Sequence, residues 1–331
     1  MYSDKSLPEL AGKFLRLVTR RSAFPPQDIA IELSTACDAA CGMCFRGPLG
    51  IRPALMSALT FEKIKGRLLE AYGAAGPAYV NFVGLGEILL NPDLERILSS
   101  FKTSFPGARA NISTNLLRWD PALFRRLLSG RLADRVSVSI DDTGDAGPWY
   151  HPCCAAAAEN IRALGALNRE LGSPSELRLQ AVMISEAQAL RVLGLAAEAG
   201  ASILSLNRMT PHLSPAGARP PRPAPPQERA ILAAARAAAA GRGLRVWNNN
   251  AFDLPMRLAS AGGRFCLTSD DHLFIDVGGR VSPCFCLRGQ AWGSALEEPL
   301  SELYGKKPDF YALQPEVCGG CDVYREEQTG R

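Results

Sequence analysis

The chain has 331 residues, a formal net charge of +4, 47% hydrophobic and 21% charged residues, three histidines and ten cysteines. This composition excludes fibrous and disordered classes, and because its arginines are scattered rather than gathered into a dense basic run, nucleic acid is not an expected partner. The N-terminus lacks the apolar core of a secretory signal, and no stretch reaches the roughly eighteen apolar residues of a membrane span, so the expectation is a cytoplasmic protein without membrane contact.

In chain order, residues 1–28 read as an amphipathic helical extension. Residues 29–209 then alternate short apolar strands, expected over 29–34, 79–85, 108–114, 135–140, 177–184 and 202–209, with helices over 60–72, 93–105, 121–128, 155–171 and 187–199. This is the rhythm of βα units around a parallel sheet. The expected fold is therefore α/β, a partial (β/α)6 TIM-like barrel two units short of closure. Residues 210–248 follow as a linker, Pro-dense over 210–228, then helical over 227–240 and strand-like over 244–247. Residues 249–331 carry five of the ten cysteines with few periodic segments, which predicts a small domain stapled by metal. In a reducing compartment disulfides are disfavoured, so clustered cysteines point to metal binding or catalysis.

Cys37, Cys41 and Cys44 lie just past the first expected strand, at the rim where parallel barrels collect their active sites. Three thiolates on one loop can hold three irons of a 4Fe-4S cubane and leave the fourth open to another ligand. A structural zinc site usually brings four ligands in paired spacings, and no fourth Cys or His stands nearby. The three-then-two spacing, together with Gly84-Leu85-Gly86-Glu87 after the second strand, Ser113-Thr114-Asn115 after the third and Ser139-Ile140-Asp141 after the fourth, resembles the radical S-adenosylmethionine (SAM) superfamily. The resemblance covers about residues 29–209. It implies that Cys37, Cys41 and Cys44 ligate the cluster, that Gly84, Gly86 and Glu87 border the amino group of SAM, and that Ser113 and Asn115, with Ser139 and Asp141, complete the cofactor pocket. It further implies reductive cleavage of SAM to a 5′-deoxyadenosyl radical, with electrons from an external donor such as flavodoxin or ferredoxin. Met43 departs from the pattern, which usually places an aromatic residue before the last cysteine.

Cys266, Cys284, Cys318 and Cys321 resemble the twitch subtype of auxiliary-cluster domains, which implies a second 4Fe-4S cluster. The run 272–284 reads as a hairpin turned at Gly278 and Gly279, bringing Cys266 toward Cys284; a four-cysteine zinc ribbon is the alternative. Cys286, two residues beyond Cys284, is the candidate catalytic thiol, able to return a hydrogen atom to a substrate radical from the opposite face; its bland readings are a small buried hydrophobe or an alternative ligand in place of Cys284. Cys153 and Cys154 read as core packing. His151, His212 and His272 form no nucleophile-base arrangement. Glu32, Asn81, Gln180, Asn207 and Arg208 interrupt apolar strands and predict a polar lumen suited to a hydroxylated small molecule. The expected activity is epimerisation of a sugar-like or aminoglycoside-like intermediate. Its rivals are oxidation of a secondary alcohol with the auxiliary cluster as electron acceptor, peptide maturation, and a zinc-stapled binding protein without catalysis.

Overall fold

A computed structural model describes residues 24–26, 28–44, 46, 47, 49–143, 154–207, 223–248 and 272–306. Ten strands form one sheet: β1 (Asp28–Ser34), β2 (Tyr79–Gly84), β3 (Arg109–Thr114), β4 (Arg135–Ser139), β5 (Glu176–Val182), β6 (Ile203–Asn207), β7 (Arg245–Trp247), β8 (His272–Ile275), β9 (Arg280–Ser282) and β10 (Gly293–Ser294). The helices are α1 (Ala58–Tyr72), α2 (Leu94–Ser104), α3 (Pro121–Ser129), α4 (Cys154–Glu170), α5 (Glu186–Ala199), α6 (Pro225–Ala239) and α7 (Leu300–Gly305). The sheet order is β10-β9-β8-β1-β2-β3-β4-β5-β6-β7. Pairing is parallel from β8 through β1 to β7 and antiparallel from β8 to β9 and β10. This is a partial barrel, as expected, and among the described residues no pairing joins β7 to the far edge.

The parallel run is wider than the six expected strands. β7 extends it beyond β6, and β8 adds to the opposite edge by pairing with β1, Asp28 opposite His272 and Ile31 opposite Ile275. The 272–284 hairpin is thus part of the same sheet. Its turn is built on Asp276, whose carboxylate accepts from the amides of Gly278 (2.9 Å) and Arg280 (3.0 Å), while Gly279 takes φ +83°, a conformation glycine adopts without strain. Partnership between the two ends of a chain leaves no local mark, so the strands were legible and their neighbour was not.

Strand alternation sends apolar residues outward and polar ones inward. Ile29, Ile31 and Leu33 of β1, Val80 and Phe82 of β2, Val136 and Val138 of β4, and Leu204 and Leu206 of β6 are buried in the core beneath the helices. Phe61, Phe82, Phe101 and Phe105 run through that core in a chain of tilted and edge contacts, with ring centroids 6.0, 5.2 and 5.4 Å apart. Truncating one of them to alanine costs about 3–5 kcal/mol by analogy with buried aromatics elsewhere. Local signals fix the helix ends: Ser57, Asp120 and Ser185 accept from the third residue beyond them, Pro121 opens α3, and Gly200 closes α5 in the left-handed region. No helix among the described residues is long and apolar enough to cross a membrane.

Candidate active site

The C-terminal end of β1 creates the site. A register irregularity between Glu32 and Ser34 turns the chain out of the ladder, and the loop carrying the three cysteines follows at once. Thr35 fastens the return of that loop: its hydroxyl donates to Arg52 O (2.7 Å) and accepts from Ala54 N (2.7 Å). Arg46 braces the inside, donating to Thr35 O (3.1 Å) and Ala39 O (3.2 Å). Backbone pairing completes the frame: Thr35 N donates to Ala54 O (2.9 Å) and Met56 N to Leu33 O (3.0 Å), with Ser34 bridged to Leu55 in antiparallel fashion.

The segment after β2 packs directly against this frame. Gly86 N donates to Ser34 O (3.1 Å) and Glu87 N to Ala36 O (2.7 Å). A Cβ at Gly86 would run into the backbone of Thr35 and Ala36, and one at Gly84 into Ser34 O. Both glycines are required by the close approach of two loops, whatever binds between them. Glu87 is almost wholly buried, and its carboxylate accepts from Leu89 N (2.9 Å), Thr114 Oγ1 (2.6 Å) and Asn115 N (2.6 Å). It ties the end of β2 to the end of β3. Asn115 in turn donates to Asp38 (3.1 Å) and lies 3.8 Å from Cys37 Sγ, which also receives Ala39 N at 3.4 Å.

These elements enclose a cavity of about 290 Å³. Cys37, Cys41, Cys44, Gly84, Gly86, Glu87, Ser113, Asn115, Ser139 and Asp141 all line it, so the ten residues expected at the cofactor site from sequence meet in one place. Met43, Arg46, Thr114 and Asn207 also line it. Cys37, Cys41 and Cys44 are free thiols. Burial opposes ionisation throughout: it raises Cys37, pushes Cys41 up to about 12 with help from Asp141 and the neighbouring thiols, raises Glu87 against its three hydrogen bonds, and lifts Asp141 to about 6. Three soft sulfur donors on one loop fit an iron-sulfur cluster. No three His, Cys, Asp or Glu side chains among the described residues are gathered tightly as a preformed single-ion site would need.

A second cavity of about 310 Å³ adjoins the first, sharing Gly84, Leu85, Ser113 and Gln180 as walls. It lies in the lumen, and against the expectation of a polar lumen most of its wall is apolar: Asn81, Asn111, Ser137, Arg178, Gln180 and His272 stand in it beside Ala30, Val83, Leu85, Ile112, Phe274 and Phe285. Of the polar strand residues expected to face inward, Asn81 and Gln180 line this cavity and Asn207 the first; Glu32 is buried, and Arg208 lies outside the described residues. Asn81 donates to Asp28 (3.0 Å) and receives Asn111 (3.1 Å). Arg178 donates to Ser205 (3.0 Å) and stacks on Trp247 at 4.5 Å. Asn111, Ser137 and Arg178 were not singled out from sequence, although each stands two residues before a residue that was, on the same strand face.

The remaining cysteines divide. Cys154, at the start of α4, is buried, in keeping with core packing, and Cys153 lies outside the described residues. Cys284 is partly exposed at the start of a 3-10 turn, Phe285–Leu287. Cys266, Cys318, Cys321 and the side chain of Cys286 lie outside the described residues.

A βα-barrel rim joining three cysteines to a glycine-carboxylate segment and an adjoining lumen cavity defines a cofactor-dependent enzyme. The model of the radical SAM superfamily matches residues 31–202, and the chain belongs to that superfamily: it is a radical SAM enzyme that binds SAM and a 4Fe-4S cluster. Among solved structures it is similar to Streptococcus suis SuiB bound to its precursor peptide SuiA, at 15% identity and a TM-score of 0.68 over 98% of this chain and 78% of that one. It is also similar to anSMEcpe with bound AdoMet, at 18% identity and a TM-score of 0.65 over 91% and 87%. At such identities the likeness speaks for the fold. No curated protein sequence matches.

Proposed function

We propose that this enzyme uses Cys37, Cys41 and Cys44 to hold the cluster and the 84–87 segment, Ser113, Asn115, Ser139 and Asp141 to hold SAM, and that it epimerises a polar, sugar-like or aminoglycoside-like small molecule with Cys286 as hydrogen donor. The observation that carries the reading is the second cavity: its volume is in the range that small molecules occupy, it offers Asn81, Asn111, Ser137, Arg178, Gln180 and His272 as hydrogen-bonding groups set in a largely apolar wall, and it shares Gly84, Leu85, Ser113 and Gln180 with the first cavity. Phe285, the residue before Cys286, stands in its wall. When bound, the cluster and SAM supply the radical that abstracts a substrate hydrogen. The chain's own contribution is to hold one C–H bond beside that chemistry and to keep water out. The four cysteines Cys266, Cys284, Cys318 and Cys321 would hold an auxiliary cluster.

SuiB, by its description, binds a precursor peptide, and peptide maturation is the second reading that the assay below separates from epimerisation. The test is anaerobic incubation of reconstituted wild type and Cys286→Ala with SAM, dithionite and a panel of hydroxylated natural products in deuterated water. A product of unchanged formula carrying one carbon-bound deuterium, made by wild type and not by the variant, supports epimerisation. A product two hydrogens lighter, made equally by both, replaces it with alcohol oxidation.

A further inference from the structure

We propose that the Glu32–Arg288 pair is a joint through which SAM binding at the 84–87 segment orders the 284–288 turn, which makes Arg288 a positioning residue for the wall of the second cavity. Glu32 lies on the inward face of β1 with no solvent exposure, and Arg288 side-chain exposure is 12%. The guanidinium meets the carboxylate as a fork, Nη1 to Oε1 at 3.0 Å and Nη2 to Oε2 at 2.8 Å. Each oxygen also accepts one backbone amide: Oε1 from Leu85 (3.3 Å) and Oε2 from Val277 (3.4 Å). One carboxylate thus clamps three segments distant in sequence: β1, the glycine-rich segment of the first cavity, and the C-terminal hairpin.

The clamp is stiff on both sides. Leu85 stands between Gly84, pressed against the last residue of β1, and Gly86, pressed against the backbone that follows it, so ordering of this segment by a ligand bears on Glu32 through the Leu85 amide. The planar fork transmits a shift that a single-point contact would absorb. At the other end Arg288 closes the turn, its amide donating to Phe285 O (3.4 Å), and Phe285 forms part of the second cavity. A buried ion pair adds little stability over apolar residues of similar volume; what it adds here is direction. The inference uses SAM binding in the first cavity and is independent of the role given to Cys286.

The experiment is hydrogen–deuterium exchange on the anaerobically reconstituted full chain, with and without SAM, for wild type, Arg288→Met, Arg288→Lys and the double variant Glu32→Leu/Arg288→Met. In wild type SAM slows exchange in segments 84–90 and 284–290; in Arg288→Met it slows only the first, and Lys restores part of the second. The double variant, which leaves no charge stranded, melts near wild type yet stays uncoupled, a result a purely structural role would not give. Because coupling is reciprocal, SAM affinity in Arg288→Met falls about fivefold or more. If SAM protects 84–90 but not 284–290 in wild type, or if Arg288→Met keeps both protections, the joint is refuted while the SAM site stands. If wild type shows neither protection, the SAM site falls and the joint with it.

Discussion

At the scale of single residues, Gly86 and Glu32 show how little room the site leaves. In Gly86→Ala the new methyl meets backbone on the loop that carries Cys37, and overpacking of this kind costs about 1–3 kcal/mol. The expected result is loss of most bound iron after reconstitution, read by iron content and visible absorption. Gly107→Ala, where the methyl meets nothing within 4 Å, is the control that retains it. Glu32 makes a prediction in pH. Burial raises its carboxyl above the ordinary value, with Arg288 pulling the other way. A group whose folded pKa lies above its unfolded one contributes stability below the unfolded value, about 4.3 for Glu, and loses it as pH rises through the folded value. Arg288→Met removes the opposing pull, so its deficit against wild type widens from mildly acidic to neutral pH, toward about 3–5 kcal/mol. Urea unfolding at several pH values checks this; a deficit that does not change with pH would mean that the stranded carboxylate is not its source. The cofactor residues were legible because each sits in a short motif at a strand end; in the lumen Asn81 and Gln180 were legible as polar breaks in apolar strands, whereas Asn111, Ser137 and Arg178 were missed although each stands two positions before a residue that was read. The Glu32–Arg288 pair carried no such sign, since neither residue stands in a pattern that names the other.

Among the elements, α1 to α6 were legible to within one or two residues, in part because caps are local, Ser57, Asp120 and Ser185 accepting from amides three positions on, whereas the short α7 was not expected from the sequence. What local sequence does not reveal is which helical glycines touch another helix. Gly66 in α1 and Gly194 in α5 have nothing within 4 Å of an added Cβ, whereas one at Gly165 in α4 would collide with the Ala199 backbone that ends α5. Alanine at Gly66 or Gly194 is therefore expected to stabilise by about 0.5–1 kcal/mol each through reduced backbone freedom of the unfolded chain. Gly165→Ala is expected to destabilise by about 1–3 kcal/mol as α4 and α5 are pushed apart. Melting temperatures of the three variants test the contrast, and a stabilised Gly165→Ala would show that the two helices separate without cost.

For the molecule as a whole, the decisive pairing is that of β8 with β1. Leu273, Phe274 and Ile275 are buried along that edge, so a chain ending at residue 248 exposes the unpaired edge of a strand that the intact protein pairs on both sides. Such edges recruit other chains. The truncated protein is expected to elute as aggregates in size exclusion while the intact chain does not, and a well-behaved monomer would show that the first seven strands suffice. The partial barrel itself was legible from alternating periods, whereas its completion by the C-terminal hairpin depends on contacts far apart along the chain.

That same pairing gives the protein a timetable during synthesis. β1 and the three cysteines after it leave the ribosome early, but β8 cannot lie against β1 until translation has passed residue 275, which at about 5–20 residues per second takes roughly ten to fifty seconds. Throughout that interval one edge of β1 is bare and Glu32 has not met Arg288, although the hydrogen bonds that fasten the loop of Cys37, Cys41 and Cys44 run between residues 33 and 115 and can already form. Slowing translation of the C-terminal third therefore lengthens the time for which the strand leading into those cysteines lacks a neighbour.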